Sequence, residues 1–105
     1  MPYFNEAPSP VIAEQIITFR PTSRGGRLWI EGDRLTSVGF TKGSHYLRTD
    51  GSGCITLILD AEGKRKVSGK AKPIIDISAK SLDGFAIGQE CLVEYRLGSI
   101  TITAM

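Results

Sequence analysis

Residues 30–59 read IEGDRLTSVGFTKGSHYLRTDGSGCITLIL, and residues 75–104 read IDISAKSLDGFAIGQECLVEYRLGSITITA. Aligned without a gap at an offset of 45, the two stretches are identical at eight of thirty positions. Average composition would give about two identities, so the agreement favours an internal duplication. The shared residues are turn glycines and core-type apolar residues: Ile30/Ile75, Gly39/Gly84, Phe40/Phe85, Gly43/Gly88, Leu47/Leu92, Gly53/Gly98, Ile55/Ile100 and Thr56/Thr101.

An alternative interpretation is that two unrelated hairpin units converged on the same turn chemistry. The mismatches Leu35/Lys80 and Ser37/Leu82, in the middle of the unit, keep this alternative open.

Each copy is predicted to fold as β-α-β-β. The stretches 27–31 and 73–77 are rich in aromatic and β-branched residues, which favours an opening strand. Asp33 and Ser78 are good N-cap residues, and they predict a short helix in each copy that ends at the glycine of the following Gly-Phe pair.

A turn and a hairpin are predicted to follow the helix. In the motif Gly-Phe-x-x-Gly we expect the ring to be a core anchor and the glycines to adopt turn conformations. The hairpin arms are predicted at 45–48 and 54–59, and at 91–95 and 99–103. The structural residues of the motif are Gly39, Phe40, Gly43, Gly84, Phe85 and Gly88.

The chain divides into four segments within one compact domain. Prolines make residues 1–14 an irregular N-terminal arm, and 15–59 form the first unit with an extra strand at 15–19. Residues 60–72 are a basic, solvated linker, and 73–105 form the second unit. A unit of about 30 residues is too small to bury its apolar face alone, so the two are expected to pack together.

Composition excludes several classes of protein. The chain has 105 residues, a net charge of +2 and a pI near 8.7, which describe an ordinary globular domain and not a histone-like polycation. Two cysteines, Cys54 and Cys91, are too few for a disulfide scaffold and favour reduced thiols in the core. With no apolar stretch of membrane-spanning length and no signal-like N-terminus, we expect a cytoplasmic protein without a membrane partner.

The motif resembles a known family. Residues 30–43 with 53–57 resemble the SymE toxin pattern of a strand, G-x-x-L, three residues, A-G-F-x-x-G and a hairpin. Val38 stands where that family usually has alanine, and Arg34 where it often has tryptophan. The resemblance covers roughly 15–59.

The second unit is similar to the wider AbrB/MazE group, in which a β-α-β-β unit exchanges hairpins with another copy to close a barrel. The resemblance implies a mainly β fold in which two tandem units form an AbrB-like swapped-hairpin, pseudo-dimeric barrel. Such a chain would be a monomeric pseudo-dimer or a homodimer. The implied function is nucleic-acid binding by a transcription regulator, an antitoxin or a SymE-like toxin.

Basic residues are concentrated in the first unit and the linker. Residues 20–48 contain six Arg and Lys against two acidic residues, a local excess of +4. Clustered cations suit phosphate binding, so nucleic acid is the expected partner, with DNA favoured over RNA. The alternative is a solvated surface without a partner. The predicted contacts are Arg24, Arg27 and Arg34 on an ordered surface, Lys42 nearby, and Lys64, Arg65 and Lys66 in the linker.

Two other classes of function stay open. One is a protein-binding inhibitor or adaptor encoded by a phage or mobile element. The other is a SymE-like RNA-cleaving toxin, although His45 is the single histidine and is expected to be structural. No motif predicts a metal site, a cofactor or a catalytic residue. Trp29 and Tyr46 are expected in the core, with base stacking as the alternative.

Overall fold

The computed structural model describes residues 9–105, which form nine strands and one short helix. The mainly β fold predicted from the sequence is confirmed. Residues 1–8 of the predicted N-terminal arm lie outside the described residues. The elements are β1 (Ala13–Thr18), β2 (Arg20–Thr22), β3 (Gly25–Glu31), α1 (Asp33–Ser37), β4 (His45–Gly51), β5 (Cys54–Leu59), β6 (Arg65–Lys66), β7 (Ile74–Ala79), β8 (Glu90–Arg96) and β9 (Ser99–Ala104).

The strands form two antiparallel sheets. One has six strands in the order β1-β8-β9-β5-β4-β6, and the other has three in the order β2-β3-β7. The expectation of one closed barrel is therefore wrong for the described residues. The chain leaves the six-stranded sheet after its edge strands β1 and β6 to supply the three-stranded sheet, so the strands do not form a single continuous ladder.

The core lies between the sheets and follows from alternation along the strands. Leu28 and Ile30 of β3 face inward, as do Ile55 and Leu57 of β5. Phe40 is fully buried and packs at a tilt on Tyr46. Phe85 and Phe19 meet edge to face. Both Gly-Phe pairs thus place their ring in the core.

Contacts between the hairpin turn of one unit and the residue before the Gly-Phe pair of the other recur at positions 45 residues apart. The amide of Gly98 donates to the carbonyl of Val38 (2.9 Å), and the amide of Gly53 donates to that of Asp83 (2.8 Å). Both hairpins also have the same register, with Tyr46 opposite Leu59 and Cys91 opposite Ala104. In β3·β7 the equivalent residues Ile30 and Ile75 face each other, and in β5·β9 Thr56 faces Thr101.

The strands that precede each unit also occupy matching places. Phe19, after β1, accepts from the Gly88 amide (2.8 Å) and donates to the Gln89 carbonyl (2.9 Å). Val67, after β6, bonds in the same way to Gly43 and Ser44, at 2.9 Å each. Gly88 and Gln89 thus lie opposite the single residue Phe19, and Gly43 and Ser44 lie opposite Val67, which is the arrangement of a β-bulge. Each half of the chain therefore lends a segment to the hairpin of the other half.

The helix predicted in the second unit is absent from the described structure. Residues 80–89 form turns, with a bridge between Leu82 and Phe85. In the first unit Leu35 is the buried residue of α1, but Lys80 stands at the equivalent position and the apolar residue comes two places later. Because a charged residue would occupy the buried position, a helix there would have no apolar face.

Two local predictions about the caps are wrong. Gly32, not Asp33, is the N-cap of α1, with φ 99° and no side-chain capping bond. Asp33 is the first helical residue, where its charge favours the positive end of the helix dipole. Ser78 is not a cap either, because it lies in β7 and its hydroxyl bonds to the Asp76 carboxylate (3.0 Å).

The linker is less solvated than predicted. Arg65–Lys66 pair with β4, and the side chain of Val67 is buried. Lys70 to Lys72 are exposed. Within residues 9–105 the chain has no helix that is both long and apolar enough to cross a membrane.

Candidate nucleic-acid interface

The outer face of the three-stranded sheet carries two arginines in register. Along β3, Leu28 and Ile30 are buried, so the alternating residues Arg27 and Trp29 point outward. Arg20 of β2 lies directly opposite Arg27, and the two side chains therefore share this face. Like charges directly opposite each other on a sheet destabilise it, and an anion bound between them would remove that cost.

Arg27 and Trp29 are fixed by their neighbours. The Arg27 Nε donates to Asp76 (3.1 Å) and to Ser78 Oγ (3.4 Å). Its guanidinium carbon lies 5.4 Å from the centroid of the Trp29 ring, within cation–π range. The indole Nε1 donates to Glu31 (3.1 Å). Trp29 is 37% exposed, so the expectation that it lies in the core is wrong.

A groove runs beside these residues, between the edge strand β1 and the three-stranded sheet. Its volume is about 490 Å³, and residues 15–18 line it together with Arg20, Arg27 and Trp29. Polar, apolar, aromatic and cationic groups thus meet in one concave surface, which is the usual composition of a binding site.

Tyr95 and Arg34 lie close to Gln15 of this groove. The Tyr95 hydroxyl donates to the Gln15 carboxamide oxygen (2.7 Å). Burial raises the pKa of Tyr95 to about 12, and the positive charge of Arg34 opposes that rise. Arg34 is therefore near enough for its charge to act on the Tyr95 hydroxyl. The Arg34 residue itself is exposed. The predicted residue Arg34 belongs to the surroundings of the groove.

Arg24 lies beside a second groove on the same sheet. It follows β2, and its amide donates to Thr22 Oγ1 (3.3 Å). The groove is about 630 Å³ and includes Lys80 and Ser78. The structure thus brings Arg24 and Arg27 to one three-stranded sheet, each beside its own groove.

The predicted linker contacts lie elsewhere. Lys64 and Arg65 line a groove of about 460 Å³ with Tyr46, Arg48 and Glu62. This basic cluster is at β6, the edge of the six-stranded sheet opposite β1. Lys66 faces His45 across β4·β6. The predicted residues therefore form two groups and not one site.

Arg48 and Arg65 influence the acidic groups near the β6 edge. The hydrogen bonds from Arg48 to Asp50 (2.8 and 2.9 Å) hold the pKa of that carboxyl below its usual value, and the charge of Arg65 adds to the effect. Burial raises the pKa of Tyr46, and the charges of Arg65 and Arg48 oppose it. The positive charges of Arg48 and Arg65 therefore act on both acidic groups at this edge.

Most predicted cations have no acidic partner in the described part of the chain. Its three ion pairs join Arg27 to Asp76, Arg48 to Asp50 and Arg96 to Glu94. Of the seven predicted contacts only Arg27 is among them. Lys42 is exposed in the turn after Phe40, between Gly39 and Gly43, which have φ 94° and 88°. The matching glycines Gly84 and Gly88 have φ 81° and 88°.

Sequence reasoning counted Arg20 but did not select it. Arg20 lies opposite Arg27 because β2 pairs with β3. Only Ser23 and Arg24 connect these two strands, and so short a connection is typical of a hairpin. Trp29 is expected in the core, but its alternation with the buried residues Leu28 and Ile30 places it on the outer face.

Neither His45 nor the cysteines form a recognisable catalytic group with their described neighbours. His45 Nδ1 lies 2.9 Å from the Gly63 carbonyl and must donate to it, since a carbonyl only accepts. Cys91 is buried, and burial raises the pKa of its thiol. Residues 9–105 contain no cluster of three or more His, Cys, Asp or Glu placed to hold a metal ion.

Comparison with known proteins gives no match. Neither a protein-family model, nor a curated protein, nor a solved structure matches this chain.

Proposed function

We propose that the protein binds nucleic acid, with DNA favoured over RNA, through the outer face of its three-stranded sheet. The observation that carries the proposal is the pair Arg20 and Arg27, held in register on an exposed face beside Trp29. Asp76 already pairs with Arg27, so the single negative charge of a phosphate between the two guanidinium groups would balance the remaining positive charge. Arginine forks also match phosphate oxygens in geometry. Arg24 at the second groove of the same sheet and Arg34 near Tyr95 add further positive charge in this proposal.

The second basic cluster, Lys64, Arg65 and Lys66, is a further phosphate contact in this proposal. These side chains are exposed at an edge strand and have no ion pair among the described residues. Since the cluster lies at the opposite edge of the large sheet, a single nucleic acid would reach both groups only by following the surface between them. We expect the second cluster to add affinity and not to position the ligand.

We also propose that the chain is a duplicated, swapped-hairpin unit of the SymE and AbrB type, acting as a transcription regulator, antitoxin or toxin. Two observations support the duplication. Hydrogen bonds recur between positions 45 residues apart, as at Gly98–Val38 and Gly53–Asp83. Equivalent residues also face each other within β3·β7, at Ile30–Ile75, and at the centre of β5·β9, at Thr56–Thr101, as a pseudo-two-fold axis requires.

The proposal is tested by the binding of labelled DNA duplex, single-stranded DNA and RNA at low salt, followed by fluorescence anisotropy. The double variant R20Q/R27Q should weaken binding to any ligand that the protein takes. K70Q/K72Q removes the same charge from exposed residues outside both basic groups and is the matched control. Absence of binding by the wild-type protein at low salt, or equal affinities of the two variants, would overturn the proposal.

A protein partner is the second candidate, and the edge strand β1 favours it. Among the described residues β1 pairs only with β8, so its other edge offers backbone donors and acceptors to an added strand. Ile12 and Ile16 are about half exposed beside that edge. Ile12→Lys would block a strand partner at a residue outside the groove lining, so it separates the two candidates in a pull-down and a DNA-binding assay run side by side.

A further inference from the structure

Resting on the proposed nucleic-acid function, we propose that the groove beside Trp29 holds an unpaired base, so that the preferred ligand is single-stranded. The phosphate would lie at Arg20 and Arg27, and the base would stack on the face of the indole that the Arg27 guanidinium does not cover. The proposed ligand is therefore single-stranded nucleic acid and not nucleic acid in general.

The exposure of Trp29 is the first observation. It is the single tryptophan of the chain, and 37% of its surface is accessible although its neighbours Leu28 and Ile30 are buried. Aromatic side chains on an exposed sheet face can stack with bases, because every base has a π-face. The ring lines the groove together with the two facing arginines.

The second observation is that the ring is already held in place. Its Nε1 is bonded to Glu31 (3.1 Å), and the guanidinium of Arg27 lies over it at 5.4 Å. Arg27 is itself fixed by Asp76 at 3.1 Å. An aromatic group fixed before binding loses little conformational entropy when a base stacks on it.

The third observation is the chemistry of the groove around the indole. Ile16, 51% exposed, supplies apolar surface on the β1 side. The Gln15 carboxamide accepts from Tyr95 through its oxygen, which leaves its NH₂ group to donate to a ligand in the groove. A volume of about 490 Å³ lies within the range of small-molecule sites, which suits a nucleotide.

A duplex does not fit this chemistry as well as a single strand. In a duplex the faces of the bases are covered by their neighbours, and protein reaches only the base edges in the grooves. A flat platform such as Trp29 needs an unstacked base, as single-stranded regions provide. The arginines alone would bind either form through phosphate.

The test uses the full-length protein with a short oligodeoxythymidylate, the same strand annealed to its complement, and heparin as a polyanion without bases. Because Trp29 is the single tryptophan, its fluorescence reports directly on the groove. We expect quenching by the single strand and not by heparin. Trp29→Leu should lower single-strand affinity about tenfold and duplex affinity by less, because a duplex loses only the support that the indole gives to Arg27.

Two variants complete the test. Trp29→Phe keeps an aromatic face and should restore part of the affinity. Leu97→Ala removes an exposed apolar side chain in the β8–β9 turn and is the control for a nonspecific loss. Thermal melting of each variant checks its fold.

The outcomes separate this inference from the proposed function. If duplex and single strand bind equally and Trp29→Leu changes both affinities by the same factor or changes neither, the stacking site is overturned while nucleic-acid binding stands. If no nucleic acid binds at low salt, both are overturned.

Discussion

At the scale of the residue, the position of each side chain depends on which face of its strand is buried. Along β3, Leu28 and Ile30 face Ile75 and Ile77 of the neighbouring strand in the core, and this leaves Arg27 on the outer face. Alternation predicts that result from the sequence. Predicting that Arg20 lies opposite Arg27 also requires the register of β2 against β3, which alternation along one strand does not give.

Tyr95 gives a pH-dependent prediction. Burial raises its pKa to about 12 from an ordinary value near 10, so the folded state holds this proton more tightly than the unfolded state. Its contribution to stability is therefore complete below about pH 10 and is lost as pH rises toward 12. Tyr95→Phe loses the hydrogen bond to Gln15 and should be about 1 kcal/mol less stable at neutral pH.

Thermal melting of both proteins between neutral pH and about pH 12 checks this. The gap between the melting temperatures should narrow as pH rises. A gap that stays constant across the alkaline range would show that Tyr95 ionises freely in the folded state.

Gly84 gives a prediction about backbone contact. Its φ is 81°, and a Cβ there would collide with the backbone of Gly53 in the opposite hairpin turn. Gly84→Ala should lower the free energy of unfolding by about 3 kcal/mol, from left-handed strain plus the clash. Gly88→Ala is the matched control, since φ is 88° but the added Cβ meets no atom within 4 Å, and it should cost about 1 kcal/mol. Equal losses in urea denaturation would contradict the hairpin contact.

At the scale of the element, local pairings could be predicted and distant ones could not. Both hairpins follow from short turns between alternating segments, and the structure has them at 45–59 and 90–104. The pairing of β1 with β8 joins residues about 80 apart, for which the sequence gives no local signal. The helix expected after β7 does not form, because the apolar residue equivalent to Leu35 is displaced by two positions, from 80 to Leu82.

Val67 tests the corrected view of the linker. Its side chain is buried, and its backbone bonds to Gly43 and Ser44 tie residues 65–67 to the first hairpin. Val67→Ala should cost about 2 kcal/mol, since it removes two buried methyl groups. Lys66→Ala, one residue earlier and exposed, should cost less than about 0.5 kcal/mol. If chemical denaturation finds the two variants equally stable, residues 60–72 are a solvated linker after all.

At the scale of the whole molecule, the two halves of the chain depend on each other. Phe19 bonds to the loop of the second half, Val67 bonds to the loop of the first, and β5 pairs with β9 at the centre of the large sheet. The repeat in the sequence predicts two similar units. It does not predict that the strands form two sheets in place of a closed barrel, or that the basic residues separate into two groups. Both features depend on how the edge strands pair.

The charge of the whole molecule is a poor guide to its function, because +2 averages a basic first unit with a more acidic second one. The arrangement of charge is more informative. Phosphate contact by Arg20 and Arg27 predicts a specific salt dependence, since each neutralised phosphate releases condensed counterions.

The most direct measurement is therefore the slope of log K against log salt concentration for a nucleic-acid ligand, compared between the wild-type protein, R20Q/R27Q and K70Q/K72Q. Losing the one phosphate that the two arginines share should make the slope shallower by about 0.7 for a single strand or about 0.9 for a duplex in R20Q/R27Q. The slope of K70Q/K72Q should equal that of the wild-type protein. An unchanged slope in R20Q/R27Q would contradict phosphate binding at the three-stranded sheet.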